Sequence, residues 1–344
     1  MKKDKIRSIL LVVLTVGIIW YILKDNFDES VRLLLGANIW YLLLVVVTYL
    51  VYFAIEAYLL YLLINKIRNC YSYRQSLELN LMTKFFNGIT PFSLGGQPLQ
   101  MYELSKSKVR VTEALLVLVE NFIILQISMT IMAIISLIVC ISTGLIPNKF
   151  LWILTLLGVF ITLFSLFMAI FMCVKINVAK KIGYKVIGFL KKIHLIKMDL
   201  SSARDLWRSK CDEYYTTFNI LLKDKMFVVK CVLLNILYMT IFCLIPFFVF
   251  RALDVNLSVN VIYSIILGCF VYISASFIPI PGATIGMEYA FINYFELIVA
   301  SSLVMPGVLV WRLVSYYVPM ILGGIMFNVR EAPLNKMRPK NPRW

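Results

Sequence analysis

Histidine is almost missing from this chain: there is one, His194, in 344 residues. It stands beside Lys191 and Lys192 in a basic stretch and reads as a surface imidazole. A histidine-based metal site or catalytic triad is thereby excluded. The seven cysteines are scattered, with no CxxC and no metal-ligand spacing. Cys140, Cys173, Cys231, Cys243 and Cys269 lie in or beside apolar runs, as small apolar side chains in a reduced or lipid setting do. No P-loop, HxxxH pair or nucleophile elbow occurs, so no catalytic residue, cofactor or metal is expected. Long polar stretches are scarce too. The largest, residues 175–225, is too short for a typical catalytic domain.

What the chain has in quantity is apolar surface: 61% of residues are hydrophobic and the mean hydropathy is +0.86. Several apolar runs reach the roughly 20 residues that cross a bilayer as a helix. Acidic residues number 18 against 34 basic ones, a net charge of +16. In a soluble protein that excess would suggest nucleic acid. Here the basic residues flank apolar runs, so they read as topology signals with a share for anionic headgroups, and no nucleic-acid partner is expected.

The basic flanks orient the segments. The tail with Lys2, Lys3, Lys5 and Arg7 is predicted to be cytoplasmic, and residues 9–23 form a signal anchor rather than a cleaved leader. Spans follow at 39–64, 114–143, 150–174, 226–250 and 302–327. Residues 175–225, with twelve basic and five acidic side chains, lie inside, as does the tail from Arg330 to Arg343. Residues 77–104 have basic residues on both flanks and must leave and return on the cytoplasmic side. Residues 261–299 must enter and return from the outside. The predicted fold is all-α and polytopic, with about six spans and two re-entrant hairpins. Residues 1–149 form one repeat and 150–330 a second, inverted repeat, before a basic tail at 331–344. Within the cytoplasmic loop, Val186, Ile187, Phe189, Leu190, Ile193 and Leu195 alternate with Lys185, Lys191 and Lys192. That is the pattern of a helix lying in the membrane interface.

Both hairpins carry helix breakers at membrane depth: Pro91, Gly95, Gly96 and Pro98 in the first, Pro279, Pro281 and Gly282 in the second. Lipid cannot satisfy the backbone groups such breaks release, so they belong where backbone is buried in protein or lines a cavity. Paired interruptions in two halves of a chain point to a transporter's substrate site. Ionisable residues in spans are costly and are functional candidates by default. Arg312 lies near mid-depth in the last span, Glu120 in the third beside Asn121, Lys84 before the first break and Glu288 after the second. Half-helix N-termini, with Arg312 and Lys84, would suit a phosphate headgroup. Glu120 and Glu288 would pair with these cations or hold an amine or a proton. The competing reading makes Arg312 and a glutamate a buried ion pair that only fixes packing. Glu56 and Glu296 read as snorkelling side chains near run ends, and Glu103 as a hairpin end.

The same residues carry a family resemblance. The string from Asn87 to Tyr102 resembles the signature TPxxxGGxPxxxY, Pro279 to Glu288 resembles PxPGGxGxxE, and Trp311 to Pro319 resembles YRxxxYxxP. Together they are similar to the flippase-like transmembrane family, which includes the membrane region of the lysylphosphatidylglycerol synthase, the multiple peptide resistance factor. The resemblance implies a lipid translocase of a bacterial inner membrane with both termini cytoplasmic. Its substrates would be anionic or aminoacylated phospholipids, and its physiological role resistance to cationic peptides. The site would comprise Pro91, Gly95, Gly96, Pro98, Glu120, Pro279, Pro281, Gly282, Glu288 and Arg312, with Lys84, Tyr102 and Asn121 as secondary candidates. The alternative is a phosphatidylglycerol lysyltransferase, or its membrane component acting with a separate aminoacyl-lipid synthase, because no transferase domain follows the last span. A homo-oligomer remains open. Two departures stand out: Asn121 replaces an arginine common in the family, and Gly282-Ala283 replaces a glycine pair.

Overall fold

The computed structural model describes residues 27–90, 93–107, 109–145, 149–192, 199–222, 224–275 and 286–337. The expected span 9–23 and the candidates Pro91, Pro279, Pro281 and Gly282 lie outside the described residues. Among the described residues every regular element is helical. A short α1 (Phe27–Leu35) leads to α2 (Ile39–Ile67), and α3 (Tyr73–Ile89) and α4 (Gly96–Lys106) flank the first break. Then come α5 (Val111–Thr143), α6 (Lys149–Val174), α7 (Ile176–Lys192), α8 (Leu200–Leu222) and α9 (Lys225–Leu253). Helices α10 (Val261–Ala275) and α11 (Gly286–Phe295) flank the second break. The last long segment is α12 (Ser301–Arg312), a π-helical turn (Leu313–Tyr317) and α13 (Val318–Met337).

Five helical segments are long and apolar enough to cross a membrane: α2, α5, α6, α9 and residues Ser301–Arg330. Their ends are set locally. The Asn38 side chain accepts from the amides of Trp40 and Tyr41 and starts α2. Ser72 and Gln75 form a reciprocal capping box at α3. Asp224 accepts from the Phe227 amide at α9. Gly144, left-handed at φ 69°, stops α5. The outer faces stay apolar: Phe160, Phe164 and Phe167 on α6 are more than half exposed, as lipid-facing side chains are.

Packing divides into two large cores and a small third one of Leu116 and Cys173. One large core gathers Phe250, Phe291, Phe295 and Trp311 around α10, α11 and α12. The other gathers Leu63, Leu79, Met82 and Leu104 around α3 and α4. Helices α2, α5 and α9 each contribute one end to each large core. For α2, Val45 and Tyr49 join the first, and Leu59 to Ile64 the second. For α9, Ile245 to Leu253 join the first, and Cys231 to Cys243 the second. The two interrupted hairpins therefore sit at opposite ends of the bundle. The α3–α4 hairpin occupies the basic end, with Lys66, Arg68 and Arg110.

Candidate functional site

Arg312 and Glu288 meet in the bundle interior. Nε of Arg312 lies 2.7 Å from Oε1 of Glu288, and each residue is 4% exposed. The contact is ionic without hydrogen-bond geometry. Nε and one terminal nitrogen of Arg312, and both Glu288 oxygens, have no hydrogen-bond partner among the described residues. The guanidinium lies 5.1 Å from the ring centres of Trp311 and Tyr316, a cation–π setting. Glu288 occupies the first turn of α11, directly after the second break, where the helix dipole favours a carboxylate.

The π-helical turn that follows Arg312 carries Tyr316, whose hydroxyl donates to the Gly88 carbonyl at 3.0 Å. Gly88 is next to last in α3, just before the first break. One short stretch of the last span thus touches the second hairpin through Arg312 and the first through Tyr316. Wide helical turns of this kind recur at functional positions.

A second charge pair belongs to the first hairpin. Lys84 Nζ lies 2.6 Å from Glu56 Oε2 and donates to the Tyr52 hydroxyl at 2.9 Å. Asn80 donates to the same carboxylate at 2.9 Å. Glu56 lies well inside α2 and is held by a cation, so the snorkelling reading does not describe it. Aromatic rings connect the two pairs. Tyr52 meets Phe242 at 5.0 Å between ring centres, Phe242 meets Trp311 at 6.4 Å, and Trp311 stacks on Phe291 at 4.7 Å.

The first break is closed by its own neighbours. The Gly95 amide donates to Thr90 Oγ1 and the Gly96 amide to Asn87 Oδ1, both at 2.8 Å. Pro98 has no N–H, so among residues 95–98 only the Gln97 amide remains for an anion. A side chain on Gly96 would place Cβ 2.4 Å from Thr83 Cγ2 and 2.5 Å from Asn87 Oδ1. In this conformation that glycine permits close approach of α3 to α4. Ser93, within the break, holds a left-handed φ of 54°, a strained conformation for a residue with a side chain.

Other candidates lie apart. Glu120 is half-buried on α5, and its Oε2 has no hydrogen-bond partner among the described residues. Its electrostatic neighbour is Lys66, not Arg312. Asn121 is half-buried beside it. Tyr102 is about half exposed, with Lys106 Nζ 4.0 Å from its ring centre. Gln97 and Pro98 line a cavity between α4, α5, α6, α7 and α8. Glu103 does more than end a hairpin: it is 2% exposed, 3.1 Å from Lys106 and 3.4 Å from Arg330 of α13. Beside that cluster, burial pushes the Tyr71 hydroxyl up to about 12.

A family model described as the lysylphosphatidylglycerol synthase transmembrane region matches residues 8–323. The chain belongs to that family. No curated protein matches it. As a lysylphosphatidylglycerol synthase transmembrane region, it is a multi-pass membrane protein related to the synthesis or flipping of that lipid. The family match takes in both hairpins and both charge pairs.

Two partners in this transmembrane region, Tyr52 and Tyr316, have no place in the sequence analysis, and Glu56 reads there only as a snorkelling side chain. Tyr52 and Glu56 are a polar i, i+4 pair on an apolar span, a spacing that puts both on one face. Tyr316 stands inside the third signature, where its role as a link to Gly88 left no local mark. Tyr316→Phe removes one hydrogen bond between the last span and the first hairpin. It should cost about 0.5–1.5 kcal/mol in detergent unfolding. An unchanged midpoint would mean that the Gly88 contact contributes nothing.

Proposed function

We propose that this chain is a phospholipid translocase of a bacterial cytoplasmic membrane, acting on phosphatidylglycerol-derived or aminoacylated lipids. One observation carries the reading: the last span grips both interrupted hairpins, Glu288 through Arg312 and Gly88 through Tyr316. A rocking motion of residues 1–149 against 150–330 would have to break or remake these ties, which suits alternating access about a central site. Arg312, buried with donors that have no partner among the described residues, would bind the lipid phosphate in exchange for Glu288, and Glu288 would take an amine or a coupling proton. Lys84 and Glu56 would stabilise the first hairpin in the same way at the other end. Export of an aminoacylated lipid would make the outer surface less anionic and so repel cationic peptides.

The family's description as a synthase region favours one further arrangement, in which a separate aminoacyl-lipid synthase supplies the lipid that this chain moves. Reconstitution tests the translocase reading directly. Liposomes holding the full chain should carry tagged phosphatidylglycerol or lysylphosphatidylglycerol between leaflets faster than protein-free liposomes. If neither lipid moves faster, the reading fails for these substrates. Formation of lysyl-lipid from lysyl-tRNA by the purified chain would replace it with the transferase reading.

A further inference from the structure

At the basic end of the bundle, away from both charge pairs, α4, α5, α6, α7 and α8 line an open cavity of about 580 Å³. That volume falls within the roughly 300–1,000 Å³ typical of small-molecule sites. Its wall is apolar except for Gln97, Thr112 and Lys210. Met101, Phe122, Met172 and Trp207 supply much of the apolar lining.

Two features tie the cavity to the bilayer. Helix α7 begins at Ile176, two residues after the span α6 ends at Val174, so its start is held at the membrane surface. It exposes Ile182, Val186 and Phe189, spaced for one helical face, beside exposed Lys181 and Lys185. This is an interfacial helix by pattern. Helix α8 packs on it and closes the cavity from the connector side. The polar part of the wall also carries positive charge. Glu213 is shared by Lys210 at 3.0 Å, Arg110 at 3.6 Å and the Thr112 hydroxyl at 2.7 Å. Lys210 belongs to the lining, and Arg110 stands exposed at its rim, so two cations gather about that carboxylate.

We propose that this cavity is a lipid site separate from the Arg312–Glu288 pair: it holds one acyl chain of an anionic glycerophospholipid, with the phosphate at Lys210 and Arg110. The apolar wall removes the chain from water and from competing lipid, and the cations select the headgroup. The bound lipid would join the connector helices α7 and α8 to α4, the second arm of the first hairpin. The site stands whether or not lipid crosses the bilayer on this chain, because it is read from binding alone.

Native mass spectrometry of the full chain in detergent tests it, with phosphatidylglycerol and phosphatidylcholine of identical acyl chains as probes. Wild type should retain one phosphatidylglycerol that Ala169→Phe/Ala179→Phe, which fills the cavity from α6 and α7, does not. Equal retention by the two overturns the site. Lys210→Ala should lower the preference for phosphatidylglycerol over phosphatidylcholine several-fold. Equal retention of both lipids by wild type overturns the anionic assignment. A second readout needs no cavity-filling variant. Cys211 lies in the cavity wall, so phosphatidylglycerol should slow its alkylation by N-ethylmaleimide in wild type several-fold. No protection overturns the proposal.

Discussion

Arg312→Met should destabilise the protein by about 3–5 kcal/mol, and Glu288→Met by a similar amount, because each leaves the opposite charge buried and unpaired. The pair is 4% exposed on either side and touches at 2.7 Å, so water cannot take over the role of the missing partner. The double variant Arg312→Met/Glu288→Met should instead unfold near the wild-type midpoint. Buried ion pairs replaced by apolar groups of similar volume are often neutral or stabilising. Unfolding of the three variants in detergent, followed by helical circular dichroism, reads the contrast directly. Lipid movement separates function from packing. A stable double variant that no longer moves lipid places the pair in the transport path. A stable double variant that moves lipid at the wild-type rate makes the pair a packing device and removes Arg312 from the mechanism. Among the described residues the pair keeps donors and acceptors without a hydrogen-bond partner, which favours the first outcome. A pair kept only for packing would be expected to satisfy its donors, since unsatisfied buried groups are costly.

Helix placement was legible because membrane depth and flanking charge act on single segments. The spans read at 39–64, 114–143, 150–174, 226–250 and 302–327 correspond to the five long apolar helical segments, with ends differing by a few residues. The segments 77–104 and 261–299 each divide into two helices about a break, as Pro and Gly at membrane depth require. Partnership was less legible, because it depends on which helices become neighbours. Glu56 reads as a snorkelling side chain from its apolar run, and only the fold reveals Lys84 across from it. Glu103 read as a boundary marker, yet α13 returns Arg330 to it from the far end of the chain. The half-helix start at Gly95 and Gly96 read as an anion site, but Thr90 and Asn87, within the same signature, take those amides first. In each case the residue type was informative, and the competing partner was supplied by tertiary structure.

Gly323→Ala should be the most damaging single-methyl change on the last helix, at about 1–3 kcal/mol, while Gly324→Ala should be mild. The two glycines are adjacent on α13, where it packs along α3. A Cβ on Gly323 would stand 2.2 Å from the Leu81 carbonyl oxygen, which is backbone and cannot turn aside. A Cβ on Gly324 would stand 3.0 Å from the edge of the Phe85 ring, which can shift by a few tenths of an ångström. Small residues allow helix backbones to approach closely where lipid gives no hydrophobic drive for association. The α3–α13 seam therefore has no room for a side chain at Gly323. Loss of that contact would also release the first hairpin from the helix whose preceding turns hold Gly88 and Glu288. Detergent unfolding of the two variants should show a clear drop for Gly323→Ala alone. Lipid movement, if this chain carries it, should fall with that drop even though Arg312 and Glu288 are intact. Equal midpoints for the two variants would mean that α3 and α13 separate freely and that the seam does not couple the hairpins.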